Sequence, residues 1–224
     1  MPSLTFSTTA DGSRTIFNAE VGEYYHSRHG ALQESQHVFL QSGLCYCLEK
    51  SRSANASILE VGFGTGLNFL LTADYCLRNQ VNMNYTGIEA NPLPISMIAE
   101  TAYHKYISDD TWHAFLAKYA DSFHSPASLS EYCTLEISHR KLMDFNSDRK
   151  FDVVYFDAFA AVHQPEMWTH ESLSHVCSFI NTGGVFVTYA ITGNLKRSMK
   201  ALGFSIEKAP GAPGKREMLR AVKL

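Results

Sequence analysis

Apolar residues recur along this chain with two periods, which predict strands and helices in alternation. Four runs rich in β-branched and aromatic residues, at 57–61, 85–89, 133–137 and 152–157, predict buried strands. Segments with helical spacing separate these runs, as they do in repeated βαβ units. The pattern therefore predicts an α/β fold built on a doubly wound and mostly parallel sheet.

Further elements complete this expectation. A helical pattern at 109–123 falls between two sheet units, so we interpret it as a helical insertion at about 105–125. We expect a single domain over 1–224, with an extension over 1–50 and a core over 51–224. The other predicted elements are a hairpin around the Asp-Gly pair at 11–12, helices at 30–50 (interrupted at Gly43), at 66–77, from Pro92, at 165–180 (ended by Gly183-Gly184) and at 194–202, a strand at 185–189, and a terminal antiparallel pair at 204–208 and 217–222.

Composition adds one asymmetry to this picture. The length of 224 residues and the apolar content of 45% suit one sizeable core. The net charge of -3 gives no sign of a nucleic-acid partner, yet residues 193–224 carry eight basic and two acidic side chains, a local excess of +6. This segment either faces phosphate or simply keeps the chain in solution.

Cysteine and histidine usage argues against disulfides and metal. The five cysteines are odd in number and lie in apolar stretches, as reduced cytoplasmic thiols do. A zinc motif needs two such ligand pairs, and neither the Cys45/Cys47 pair nor the His26/His29 pair has a matching second pair. We therefore expect no zinc site. No apolar run reaches 18 residues and no signal core is present, which predicts no membrane association and a cytoplasmic location. A monomer is compatible with the sequence, which does not fix the oligomeric state.

A glycine-rich loop follows the first buried strand and reads E-V-G-F-G-T-G at 60–66. Glycine at alternate positions lets the backbone turn sharply and approach a ligand closely. The dinucleotide fingerprint G-x-G-x-x-G would need a glycine where Leu67 stands, whereas E-x-G-x-G-x-G is typical of methyltransferases. The candidate cofactor contacts are therefore Gly62, Phe63, Gly64, Thr65 and Gly66.

Two side chains near this loop complete the candidate cofactor site. Glu89 ends the second strand, where a carboxylate can accept two hydrogen bonds from ribose hydroxyls. Asn68 begins the next helix and either orients the amino-acid end of the cofactor or caps the helix. Together with the loop, they predict a ligand that carries a nucleoside.

Asp157 ends a central strand, at the edge of the sheet where open α/β proteins bind ligands. A carboxylate there can orient an amine and take up its proton while the amine attacks a sulfonium methyl group, or it can simply cap a turn. Phe159, Trp168 and Tyr189 follow strand ends, so each either stacks on a substrate base or belongs to the core.

Seven blocks of this sequence resemble one family. They are E-S-x-H-V-F at 34–39, E-V-G-F-G-T-G-L-N-F at 60–69, F-D-A-F-A at 156–160, Q-P-E-M-W-T at 164–169, T-Y at 188–189, P-G at 210–211 and G-K-R-E-M at 214–218. Nearly the whole chain resembles the methyltransferase half of the bifunctional tRNA 5-methylaminomethyl-2-thiouridine biosynthesis proteins and its stand-alone relatives. The resemblance implies a Rossmann-like class I S-adenosylmethionine-dependent methyltransferase that converts 5-aminomethyluridine, with or without a 2-thio group, to 5-methylaminomethyluridine at the tRNA wobble position.

The resemblance also implies roles for individual residues. It assigns Asp157 to the amine, Glu34, Gly62, Gly64, Asn68 and Glu89 to the cofactor S-adenosylmethionine, and Lys215 and Arg216 to a C-terminal element near the site. The charge of the last two adds our hypothesis that they contact tRNA phosphates. The bifunctional relatives carry a flavin-dependent oxidase half, for which no residues remain here, so we expect no flavin.

Two departures from the family pattern lie near these residues. Ala161 replaces the proline of a D-x-F-A-P block, which loosens the loop beside Asp157. The segment 138–141 (S-H-R-K) stands where relatives have an acidic residue near the adenine, so Asp144 is the nearest carboxylate and the adenine contact is unassigned.

Other functions remain open at this stage. They are a small-molecule amine methyltransferase or an aminopropyl transferase, against which the P-E-M-W-T and K-R-E-M blocks argue, and a non-catalytic module that binds cofactor or tRNA.

Overall fold

Two β-sheets form the framework of the protein in this computed structural model. It describes residues 4–224, so the first three residues of the expected extension lie outside the described residues. A three-stranded sheet has the order β1-β2-β3 and an eight-stranded sheet has the order β10-β11-β9-β8-β4-β5-β7-β6. The strands are β1 (Leu4–Thr8), β2 (Arg14–Asn18), β3 (Glu23–Tyr24), β4 (Asn55–Val61), β5 (Asn82–Glu89), β6 (Ala127–Ser130), β7 (Cys133–His139), β8 (Phe151–Phe156), β9 (Ile180–Thr188), β10 (Phe204–Pro210) and β11 (Glu217–Lys223).

Helices cover both faces of the larger sheet. The first helical stretch is continuous and contains α1 (Ala31–Glu34), a π-helix (Ser35–Cys45) and α2 (Tyr46–Ser51). The other helices are α3 (Leu67–Asn79), α4 (Ile95–Glu100), α5 (Asp109–Lys118), α6 (His170–Ser178) and α7 (Gly193–Ala201), with 3-10 turns at Tyr103–Lys105, Asp121–Phe123, Leu142–Asp144 and Pro165–Trp168.

The parallel strands lie at the centre of the larger sheet. Parallel pairing joins β7 to β5, β5 to β4, β4 to β8 and β8 to β9, whereas β6 and the β10–β11 pair are antiparallel additions at the two edges. This confirms the predicted doubly wound, mostly parallel sheet, the N-terminal hairpin and the helical insertion, which is α5. The carboxyl ends of β5, β4, β8 and β9 consequently share one edge, where ligands bind in such sheets.

Alternate residues of the central strands pack into two separate core layers. Ile58, Val153 and Tyr155 belong to one apolar cluster, with helices α3 and α5 and the π-helix. Leu59 and Val154 belong to the other, with α6 and α7. Because both faces of each strand are buried, the strands are continuous apolar runs rather than alternating ones, as their sequences indicated.

Three local predictions were wrong. Gly43 does not interrupt the first helix: a Cβ there would lie 2.8 Å from the Tyr155 ring, so glycine lets the π-helix rest on the sheet. Helix α4 begins at Ile95 rather than at Pro92, because Pro94 disfavours a helical conformation in the residue before it. The pair Gly183-Gly184 lies within β9 rather than ending a helix, at a bulge where the β8–β9 register shifts.

The N-terminal hairpin is tied to the first helix through Asp11. Its carboxylate accepts hydrogen bonds from the backbone N–H and hydroxyl of Ser13 within the turn, and from the backbone N–H of Gln33 at 3.0 Å. Gln33 lies in the first turn of α1, so Asp11 satisfies one of the N–H groups that a helix start leaves unpaired. This contact fixes the position of Glu34, the last residue of α1.

Candidate functional site

The site lies where the glycine loop after β4 meets the end of β8. Gly62, Gly64 and Gly66 have φ angles of +86°, +52° and +75°, which residues with a side chain rarely adopt. A Cβ on Gly62 would collide with the backbone oxygen of Asp157, and one on Gly64 would lie 2.9 Å from the Tyr25 ring. Glycine is therefore required for the loop to approach the strand that ends in Asp157.

A cavity of about 710 Å³ opens along this edge of the sheet, which is within the usual size range of small-molecule sites. Of the residues predicted from the sequence, Glu34, Gly62, Phe63, Gly64, Thr65, Glu89, Asp157, Phe159, Tyr189 and Lys215 line it. Gly66, Asn68, Trp168 and Arg216 lie outside the lining. The structure therefore brings most of the predicted residues to one place.

Glu89 is held at the cavity wall by backbone groups. One carboxylate oxygen accepts the N–H of Gly64 and the other accepts the N–H of Asn91, each at 2.8 Å. Burial raises the pKa of Glu89, and these backbone hydrogen bonds partly offset that rise. Each oxygen has two lone pairs, so the carboxylate keeps acceptor capacity for the hydroxyl groups of a ligand.

The carboxyl group of Asp157 has a pKa far above its ordinary value. Burial, and after it the charge of Glu34, raises the pKa of Asp157 from 3.8 to about 8, while a hydrogen bond from Asn68 and the charge of Lys215 act in the opposite direction. The Asn68 amide donates to Asp157 Oδ2 at 2.8 Å. A carboxyl group with this pKa is able to take up and release a proton near neutral pH.

Glu60 is a buried acid whose role the sequence did not reveal. It is fully buried, and it accepts hydrogen bonds from the Asn68 amide at 2.9 Å and from the Tyr85 hydroxyl at 2.8 Å. Burial raises the pKa of Glu60 well above its usual value, which favours the neutral acid. The same amide thus joins Glu60 to Asp157. In the sequence, the only indication of this contact was the position of Glu60 as the first residue of the glycine-loop motif.

Asn68 does not cap helix α3. The N-cap is Gly66, and Asn68 is the second residue of the helix, with its amide hydrogen-bonded to the two acids. Its carbonyl oxygen is buried and has no hydrogen-bond partner among residues 4–224. Of the two roles considered from sequence, helix capping is therefore excluded.

Lys215 and Arg216 have different surroundings, although they are neighbours in sequence. The Lys215 ammonium lies 2.6 Å from Glu34 Oε2 and 3.9 Å from the centre of the Tyr189 ring, inside the cavity. Arg216 is exposed. Lys215 therefore lies inside the cavity beside a buried carboxylate and an aromatic face, whereas Arg216 faces solvent, and the phosphate hypothesis stays a prediction.

The three candidate aromatic residues also differ in their position relative to the cavity. Phe159 and Tyr189 line the cavity, and the Tyr189 hydroxyl donates to the backbone oxygen of Ala158 at 2.9 Å. Trp168 lies behind them: its indole N–H donates to the backbone oxygen of Phe159 at 2.8 Å, and its ring packs on Phe156 with centroids 5.1 Å apart. Trp168 therefore supports the wall rather than forming its surface.

The N-terminal extension forms one wall of the cavity, of which the sequence indicated only Glu34. Glu23 and Tyr25 line it, and Glu23 accepts the backbone N–H of Ala160 at 2.7 Å, which anchors the loop after Asp157. His26 is buried in the same wall, and burial lowers its pKa to about 4, so its ring is neutral near pH 7. A hairpin signal alone cannot show on which side of a sheet the hairpin packs.

The opposite end of the cavity is formed by residues that follow β7. Arg140, Lys141, Leu142, Met143 and Asp144 all contribute to its lining. Asp144 is exposed, and it is the carboxylate expected at this end. In residues 4–224 there is no cluster of side chains suited to a metal ion, and no helix in that range is long and apolar enough to cross a membrane.

Known proteins resemble this chain over most of its length. The tRNA 5-methylaminomethyl-2-thiouridine biosynthesis bifunctional protein MnmC of Magnetococcus marinus is 31% identical over 211 residues, which are 89% of this chain and 31% of the relative. The protein of the same name from Aromatoleum aromaticum is 28% identical over 233 residues, which are 95% of this chain and 34% of the relative. The chain therefore spans about a third of the length of these relatives.

A solved structure shows the fold, and a family model shows the family. The crystal structure of MNMC2 from Aquifex aeolicus superposes with a TM-score of 0.78 over 99% of this chain and 71% of that chain, and at 22% identity it shows the fold alone. A family model described as S-adenosyl-L-methionine-dependent methyltransferase matches residues 107–224, which include Asp157 and Lys215. The chain therefore belongs to the S-adenosyl-L-methionine-dependent methyltransferase family.

Proposed function

We propose that the protein transfers a methyl group from S-adenosylmethionine to the amine of 5-aminomethyluridine, or its 2-thio form, at the wobble position of tRNA. The observation that carries this proposal is the position of Asp157, which lines one cavity together with the glycine loop and two aromatic residues and has a pKa of about 8. The names of the relatives, which refer to 5-methylaminomethyl-2-thiouridine biosynthesis in tRNA, supply the acceptor. A cytoplasmic location accords with a tRNA substrate.

The cavity fits a ligand that carries a nucleoside. Its volume of about 710 Å³ is sufficient, and Glu89 presents a carboxylate beside the glycine loop for the ribose hydroxyls. Asp144, at the end beyond β7, is our candidate for the adenine. When bound, the cofactor supplies a methyl group on a positively charged sulfur. The remaining contributions come from the chain itself.

The acceptor amine must lose a proton before its nitrogen has a lone pair, because a primary ammonium has a pKa of roughly 10. Asp157 is placed to accept that proton, and Asn68 fixes one of its oxygens. Phe159 and Tyr189 are our candidates for stacking the uracil, a contact worth about 1–3 kcal/mol per base. Arg216, exposed next to the cavity residue Lys215, is our candidate phosphate contact.

A direct test combines labelled S-adenosylmethionine with tRNA that lacks the terminal methyl group, followed by digestion to nucleosides. We expect label in 5-methylaminomethyluridine. Asp157→Ala should reduce turnover by at least about 100-fold, the size of a general-base contribution, while donor affinity stays within about 3-fold. Asp148→Ala, which removes an exposed carboxylate, is the matched control. Label in a small amine instead of tRNA would overturn the proposed acceptor, and equal turnover in the two variants would overturn the role of Asp157.

A further inference from the structure

Lys215 lies at the end of the cavity next to β9. Its ammonium forms an ion pair with the buried Glu34 and lies over the ring of Tyr189, the residue that follows β9. The other cationic side chains in the described lining, Arg28, Arg140 and Lys141, are all exposed. Lys215 is the lining cation whose charge acts on Asp157, so it lies near a ligand group placed beside that carboxyl.

Lys215 and Glu34 both keep unused hydrogen-bonding capacity. A lysine ammonium has three donors, and the structure records one hydrogen bond from Lys215, to Glu34. Glu34 accepts the backbone N–H of Ser27 on one oxygen and Lys215 on the other, which leaves lone pairs on both. An ammonium next to a carboxylate is the complement of a zwitterionic α-amino acid, which carries one group of each sign.

Lys215 and Glu34 also lie on the side of the cavity toward which the amino-acid tail of a donor would extend from a ribose held by Glu89. Glu89 is the last residue of β5, the glycine loop follows β4, Asp157 follows β8 and Tyr189 follows β9. These strands are consecutive neighbours in the sheet. Neighbouring strands are about 4.8 Å apart, so Glu89 and Tyr189 lie at strand ends separated by roughly 14 Å. A donor whose ribose is held by Glu89 therefore extends its amino-acid tail toward Lys215 and Glu34.

We propose that Lys215 is a specificity-determining residue for the methyl donor. It binds the carboxylate of the amino-acid end, and Glu34 binds the neighbouring ammonium. This inference rests on the proposed function and goes beyond it, because it says which donors the site accepts. S-adenosylmethionine carries the carboxylate, and its decarboxylated form, which an aminopropyl transferase needs, does not. Lys215 thus selects a methyltransferase donor over an aminopropyl donor.

Calorimetric titration of the purified protein with the two donors, without tRNA, tests this selection. The wild-type protein should bind S-adenosylmethionine at least about 10-fold more tightly than the decarboxylated form. Lys215→Met should weaken S-adenosylmethionine binding by about 10- to 100-fold, the loss of one charge-assisted hydrogen bond, and change binding of the decarboxylated form by less than about 3-fold. Glu34→Gln should weaken both ligands by the same factor, because both carry the ammonium.

Lys208→Met is the matched control, since Lys208 is an exposed cation on β10 that lies outside the cavity lining. It should bind both ligands as the wild type does. Equal losses of both ligands in Lys215→Met, or a wild-type protein without preference, would overturn the inference and leave the proposed function standing. If Lys215→Met does not fold, Lys215→Gln replaces it with the same expected result. Failure of the wild type to bind either donor would overturn the proposed function as well.

Discussion

Replacing Asp157 by asparagine should stabilise the fold, and the gain should grow with pH. The folded-state pKa of Asp157 is raised from 3.8 to about 8, chiefly by burial. Since the unfolded chain has an ordinary carboxyl, unfolding releases a proton between about pH 4 and pH 8, and the free energy of unfolding falls as pH rises through this range. Asparagine cannot ionise, and its carbonyl oxygen still accepts the hydrogen bond from Asn68.

The magnitude follows from the size of this shift. Each pH unit inside the window changes the contribution of Asp157 by about 1.4 kcal/mol, so the limit between pH 5 and pH 7 is about 2.7 kcal/mol. Asp157 lines the cavity and is only partly enclosed, so the change falls below this limit. We therefore expect the advantage of Asp157→Asn over the wild type to increase by roughly 1–3 kcal/mol between pH 5 and pH 7.

Urea unfolding at pH 5, 6 and 7 measures this difference, with Asp148→Asn as the control for loss of an exposed carboxylate. The control should show a difference from wild type that changes by less than about 0.5 kcal/mol over the same range. A pH-independent difference for Asp157→Asn would mean that its carboxyl is hydrated in the folded state, and it would remove the basis for its role as a proton acceptor near neutral pH.

Three further predictions concern other contacts around the site. Glu60→Gln should change the free energy of urea unfolding by less than about 1 kcal/mol, because an amide resembles the neutral acid beside Tyr85, whereas Glu60→Ala should cost roughly 2–4 kcal/mol; equal costs would contradict this. Gly62→Ala should weaken donor binding at least about 10-fold in calorimetry, since its Cβ collides with Asp157, and unchanged affinity would refute the close approach. Glu23→Ala should speed limited proteolysis of the loop at Ala160, and an unchanged cleavage rate would show that Glu23 is not its anchor.

Elements with a strong local signal could be predicted from the sequence. The runs at 57–61 and 152–157 correspond to β4 (Asn55–Val61) and β8 (Phe151–Phe156), because a buried strand needs a continuous apolar run. Strand β6 (Ala127–Ser130) was missed, since its A-S-L-S sequence has no such run and it forms only by pairing with β7 at the sheet edge.

The candidate site likewise contains residues that could be placed from the sequence and contacts that could not. Gly62, Glu89 and Asp157 could be placed together because the topology of a parallel sheet brings strand ends to one edge. The contact between Glu23 and Ala160 joins residues 137 positions apart, and the sharing of Asn68 between two acids depends on side-chain orientation. No local pattern encodes either feature. The binding and catalytic roles of the site residues stay predictions.

The ion pair between Glu34 and Lys215 joins positions 181 residues apart. A contact between such distant positions carries a loop-closure cost that native packing of the intervening strands offsets. The pair therefore requires that both the helical stretch that carries Glu34 and the β10–β11 pair that flanks Lys215 have docked on the sheet. During refolding, donor affinity should therefore not appear before both ends of the chain have docked, whereas circular dichroism reports secondary structure formed at any stage.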